Sequence, residues 1–181
     1  MVVASHTGPR LYGSFASIMP IAQVLDSAAK VKPPPMAPAT HFSLGTGSAT
    51  LTNRNGNLTI RLGALSGGPN THLSGRQSGS GNTATTYIIG EKNLATVFSG
   101  MIANAGDLDG LSIIKTGTAS LELAGSSNFT GSINAAQGEL KISGNTVISG
   151  NTDVQSGATF ALAGGTLTTQ SLTSDGALSG Y

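Results

Sequence analysis

The chain of 181 residues contains no cysteine and no tryptophan, and only 9% of its residues are charged. The lack of cysteine excludes disulfides and thiolate metal sites. Its net charge is +1 with no cluster of basic residues, so the sequence gives no support for a nucleic-acid partner. No stretch approaches the ~20 apolar residues that a transmembrane helix needs, so no membrane span is expected.

Glycine, in contrast, is abundant, with 26 residues. Apolar and polar residues alternate over many short stretches, which indicates β-strands rather than disorder. Glycine is the residue that tight turns between such strands require. The composition therefore predicts an all-β protein of many short strands and many turns.

A change in composition near residue 40 divides the chain into two parts. Six of the seven prolines fall at or before Pro38, and 24 of the 26 glycines follow residue 40. The stretch 20–30 predicts a short helix, because Ile21, Val24 and Leu25 share one face. We therefore expect residues 1–40 to be an N-terminal helix with a Pro-rich linker or cap, and residues 41–181 to be one β domain.

A short phrase repeats in the β domain at a nearly constant interval. Leu121-x-Leu-x-Gly125 recurs as Leu140-x-Ile-x-Gly144 and as Phe160-x-Leu-x-Gly164, with the glycines 19 and 20 residues apart. A β-sandwich does not require a constant interval, whereas each coil of a solenoid places the same residue type above the last. Coils of ~20 residues predict a single-stranded parallel β-helix with strands stacked ~4.8 Å apart.

The repeat also predicts which side chains point inward. The apolar residues of each phrase should fill the core, while Glu122, Lys141 and Ala161 point outward and Glu122 neighbours Lys141. The glycines should stack where the backbone takes a positive φ. Before residue 111 the period is weaker: FSGMI at 98–102 matches FTGSI at 129–133 only at an interval of 31, and residues 66–83 are expected to form a long excursion.

The run 113–145 resembles the passenger-associated, autotransporter-associated strand repeat, and segments upstream extend the resemblance to about residues 63–165. The matching positions are Lys115, Gly117, Leu121, Leu123, Gly125, Asn128, Phe129, Gly131, Gly138 and Leu140. The resemblance implies a right-handed parallel β-helix in a bacterial exported or cell-surface protein. Passengers of this family are often adhesins, or stalks that present another domain.

Two departures from that family stand out. No membrane β-barrel or C-terminal sorting module is visible, and no clear signal peptide is present. The final GALSGY also carries no polar cap, so we expect the β-helix to be incomplete at its C-terminal end, either as a fragment or as a subunit whose ends meet partners. The expected location is extracellular or on the bacterial cell surface.

Few residues suggest chemistry. The eight acidic residues are scattered, and only Asp107 and Asp109 are close enough to be weak metal candidates, with an ordinary turn favoured. The histidines are isolated and lack metal-ligand spacing. We group His72, Arg76 and Tyr87 as candidate contacts for a ligand or partner, although a solvated loop is the simpler interpretation. No catalytic residue and no cofactor is expected.

Three functions follow from these features. The first is a non-catalytic structural or adhesive module, with a glycan or a host or cell-surface protein as partner. The second is a carbohydrate-binding or polysaccharide-degrading β-helix, which requires acidic residues on neighbouring coils. The third is a self-assembling subunit whose coils associate end to end through exposed strand edges.

Overall fold

The protein is a β-solenoid in which the chain winds through about six coils of three strands each. The computed structural model describes residues 2–6, 40–54, 57–76, 83–105 and 110–180. Within these ranges every regular element is a strand. The predicted all-β parallel solenoid is confirmed, while the predicted helix at 20–30 and the Pro-rich spacer lie outside the described residues.

The strands form three faces that run along the stack. The first face comprises β2 (His41–Ser43), β5 (Ala64–Ser66), β8 (Thr96–Phe98), β11 (Leu121–Leu123), β14 (Gly138–Ile142), β17 (Ala158–Leu162) and β20 (Ala177–Gly180). The second face comprises β1 (Val2–His6), β3 (Ala49–Asn53), β6 (Thr71–Arg76), β9 (Met101–Ala103), β12 (Ser127–Phe129), β15 (Asn145–Ile148) and β18 (Thr166–Thr168). The third face comprises β4 (Leu58–Leu62), β7 (Ala84–Ile89), β10 (Gly110–Lys115), β13 (Ile133–Ala135), β16 (Thr152–Val154) and β19 (Leu172–Ser174).

Strands one coil apart on the same face pair in parallel, with two departures from this rule. On the first face, β5 is connected to β8 only by a single bridge between Gly67 and Phe98. On the second face, β1 pairs antiparallel with β3 at the N-terminal edge. The sequence did not predict β1, because Val2–His6 has no counterpart in the repeat.

The register confirms the columns that the repeat predicted. Leu121 pairs with Leu140, which pairs with Phe160, and Leu123 follows the same path through Ile142. Leu121, Leu140 and Phe160 are at most 2% exposed. The same inward columns continue through all the coils and form one hydrophobic cluster from Leu51 to Phe160. Burying these side chains is the main favourable contribution to folding.

The register confirms the outward row of the first face at all three predicted positions, although the third residue, Ala161, is buried. Lys141 Nζ lies 3.0 Å from Glu122 Oε2, and Ser143 Oγ donates to the same carboxylate at 2.5 Å. The hydrogen bonds from Ser143 and Lys141 lower the pKa of Glu122. Ala161 follows Lys141 in this row but is buried, because its single methyl group is short enough for its neighbours to cover.

Two predictions about the period are corrected by the register. Phe98 pairs with Leu123, which lies 25 residues further on. The stretch FSGMI at 98–102 therefore stacks on the residues that begin at Leu123, and not on FTGSI at 129–133. Within 66–83, the stretch Thr71–Arg76 is strand β6, with Leu73 in the core. The extra length of the early coils therefore falls between the strands in sequence, and the strands still pair in parallel.

Glycines stack at the corner between the first and second faces for a reason that the sequence did not reveal. The column is Gly100, Gly125, Gly144 and Gly165, and Gly164 stands beside it. None of these four has a positive φ. A Cβ on Gly125 would instead overlap the carbonyl oxygen of Gly100, and a Cβ on Gly144 would overlap that of Gly125. Close approach of successive coils therefore excludes a side chain here.

The corner between the third and first faces fits the original expectation. Gly90, Gly117 and Gly138 stack in succession, and all three take a positive φ between 66° and 121°. Both the backbone conformation and the close contact require glycine at this corner.

Gly144→Ala should destabilise the protein by about 3 kcal/mol, because the added methyl group must displace the Gly125 carbonyl. Gly75→Ala is the matched control, since its Cβ would meet no atom closer than 3.9 Å. Urea unfolding of both variants measures the difference. Equal stability of the two variants would contradict the assignment of the column to close approach.

Leu140→Asp should unfold or aggregate the chain, because it places an unpaired charge where exposure is 0%. Lys141→Asp changes the adjacent residue and should cost only about 1 kcal/mol, from loss of the pair with Glu122 and the new like charge beside it. Circular dichroism and thermal unfolding distinguish the two variants. If both are tolerated equally, the inward and outward assignments are wrong.

Candidate functional site

The three residues predicted as a ligand contact do not form one surface group. His72 is exposed on the outer side of β6, between Thr50 and Met101 in register. Arg76 ends the same strand, and its Nε is buried without a hydrogen-bond partner. Tyr87 is 0% exposed, so the expectation that its ring contacts a ligand is wrong.

The burial of Tyr87 follows from the alternation along β7. Thr85, Tyr87 and Ile89 all point inward. The Tyr87 hydroxyl donates to the Ser74 carbonyl at 2.7 Å, which satisfies its polar end inside the stack. Burial raises the pKa of Tyr87, so the hydroxyl stays protonated. The TTYIIG alternation was the signal that could have placed this ring in the core.

The weak metal candidates Asp107 and Asp109 lie outside the described residues. Within the described ranges no three His, Asp or Glu side chains are grouped so that they could hold a metal ion. The described residues contain no helix that is long and apolar enough to cross a membrane.

A buried polar cluster lies beneath Arg76, where the second face turns into the third. Thr52 Oγ1 donates to the Gly75 carbonyl at 2.5 Å, and Asn53 Nδ2 donates to Thr85 Oγ1 at 2.5 Å. Asn53 pairs with Arg76 in register, and Asn53 Oδ1 has no partner. These atoms are closed to solvent, so the cluster holds the corner together and offers no surface to a ligand.

A serine and a histidine are in contact on the outer side of the first face. His41 Nε2 lies 2.8 Å from Ser66 Oγ. Burial, with the nearby charge of Lys92, lowers the pKa of His41 and favours the neutral ring. A nucleophile–base pair also needs a group that orients the base. In the described part of the chain no carboxylate is hydrogen-bonded to His41, so this contact serves to join β2 and β5.

A polar depression near the last coil is lined by two acidic residues, which the sequence did not predict. It has a volume of about 260 Å³ and is lined by Asp153, Val154, Gln155, Thr173, Ser174 and Asp175. Thr173 Oγ1 donates to Asp153, the residue with which it pairs in register. The two acids are 22 positions apart in sequence and line the same depression because β16 and β19 stack on adjacent coils.

Lys115 is the most unusual charged residue in the described structure. It ends β10 pointing inward, at 1% exposure. Its Nζ donates to the carbonyls of Thr116 at 2.8 Å, Gly117 at 2.9 Å and Gln137 at 2.9 Å. These three acceptors use all three donors of an ammonium group. Burial lowers the pKa of Lys115 to about 8, against the opposing effect of Glu139.

The position of Lys115 explains its role. Thr116 and Gly117 belong to its own corner, whereas Gln137 belongs to the same corner one coil further along. The ammonium therefore binds carbonyls at two levels of the stack. Sequence reasoning matched this lysine to the repeat but did not predict that it is buried.

Comparison with known proteins identifies no relative for this chain. No family model matches it, and neither a curated protein sequence nor a solved structure does.

Lys115→Met should lower the free energy of unfolding by about 3 kcal/mol, because three buried carbonyls lose their donor. Lys92→Met removes an exposed lysine from the neighbouring coil and should change stability by less than about 0.5 kcal/mol. Chemical denaturation measures both variants. A stable Lys115→Met protein would show that the three hydrogen bonds are dispensable.

The lowered pKa of Lys115 predicts a pH dependence of known sign. Since the pKa falls from 10.5 to about 8 on folding, the folded chain has released the proton at pH values where the unfolded chain still holds it. The contribution of Lys115 to the free energy of unfolding should therefore increase as the pH rises from 8 to 10.5. The measurement is the unfolding free energy of the parent protein minus that of Lys115→Met at each pH. A difference that falls with pH would mean that the carbonyls raise the pKa instead.

Proposed function

We propose that this chain is a non-catalytic structural or adhesive module of a bacterial exported or cell-surface protein, with a glycan or a surface protein as its partner. The proposal rests on one observation, which is that the residues of the repeat have structural roles in the fold. Leu121, Leu123 and Leu140 fill the core, Gly125 allows close stacking, and Lys115 binds corner carbonyls. The repeated residues are used in building a rod, so the sequence pattern is explained by architecture.

The outer surface is consistent with this role. The exposed rows carry polar side chains together with single apolar ones such as Val97, Met101 and Val147. Ion pairs connect neighbouring coils at Arg61–Glu91 and Glu122–Lys141. The faces are regular because their strands stay in register over many coils. A stiff rod with regular faces suits a stalk, or an adhesin that binds through repeated weak contacts.

The proposed location can be tested in the bacterium that encodes the chain. Protease added to intact cells should degrade the protein while a cytoplasmic marker stays whole. Protection of the protein until the cells are lysed would contradict a surface location. A culture supernatant containing the protein would identify it as released.

A second candidate is a carbohydrate-binding or polysaccharide-degrading β-helix, favoured by one observation. Asp153 and Asp175 line one depression from adjacent coils, together with Gln155 and Thr173. Carboxylates and amides that line a groove are the groups that hydrogen-bond sugar hydroxyls. Glycoside hydrolysis also needs two carboxyl groups on either side of one bond.

The two candidates predict different results with polysaccharides. If the chain is a structural or adhesive module, the purified protein should release no reducing ends and no unsaturated products from a polysaccharide panel. Any glycan binding measured by calorimetry should then be unaffected by Asp153→Asn. Turnover that Asp153→Asn abolishes and Glu139→Gln leaves intact would establish the second candidate and contradict the first.

A further inference from the structure

We draw no further inference here: the strongest candidate, the polar depression that Asp153 and Asp175 line on the outer side of the last two described coils, belongs to the site already described, and its pair of acidic residues is joined by no second feature of the described structure that points to a ligand.

Discussion

The distance between successive coils is the constraint on which the rest of this structure depends. Backbone hydrogen bonds connect each corner to the one before it, as in Ala124 N to Phe98 O at 2.9 Å and Ser143 N to Leu123 O at 3.0 Å. These bonds hold adjacent coils at the strand spacing of ~4.8 Å. A side chain at a corner must then fit within that spacing or be absent. The glycine column of Gly100, Gly125, Gly144 and Gly165 is the direct result.

The same spacing organises the side chains on the strands. An inward residue always meets the inward residue of the next coil, so the core becomes a set of columns and not a single irregular cluster. Outward residues meet in the same way, which places Lys141 beside Glu122 and Thr173 beside Asp153. Interactions between residues about 20 positions apart thus become nearest-neighbour contacts, and each coil is stabilised mainly by the two beside it.

Much of this architecture could be predicted because the coils from residue 121 onward vary little in length. The phrase at Leu121, Leu140 and Phe160 revealed both the period and the inward positions. The earlier coils could not be aligned by interval, since corners of different length separate strands that still pair, as Phe98 and Leu123 do. The sequence also could not show why the column from Gly100 to Gly165 consists of glycine. A positive φ and a close approach of neighbouring backbones both favour glycine, and only the structure distinguishes them. The depression at Asp153 and Asp175 depends on the stacking register, and so it appeared only with the structure.

The ammonium of Lys115 adds one consequence for a chain under tension. When a rod is pulled at its ends, a stack of nearest-neighbour coils yields by peeling from an end. Lys115 binds Thr116 and Gly117 at one level and Gln137 at the next, close to the middle of the stack. Peeling that reaches this point must break three charge-assisted hydrogen bonds together with the backbone pairs. The outer coils should therefore extend at lower force than the coils held by Lys115, which would leave a resistant centre in a stretched molecule.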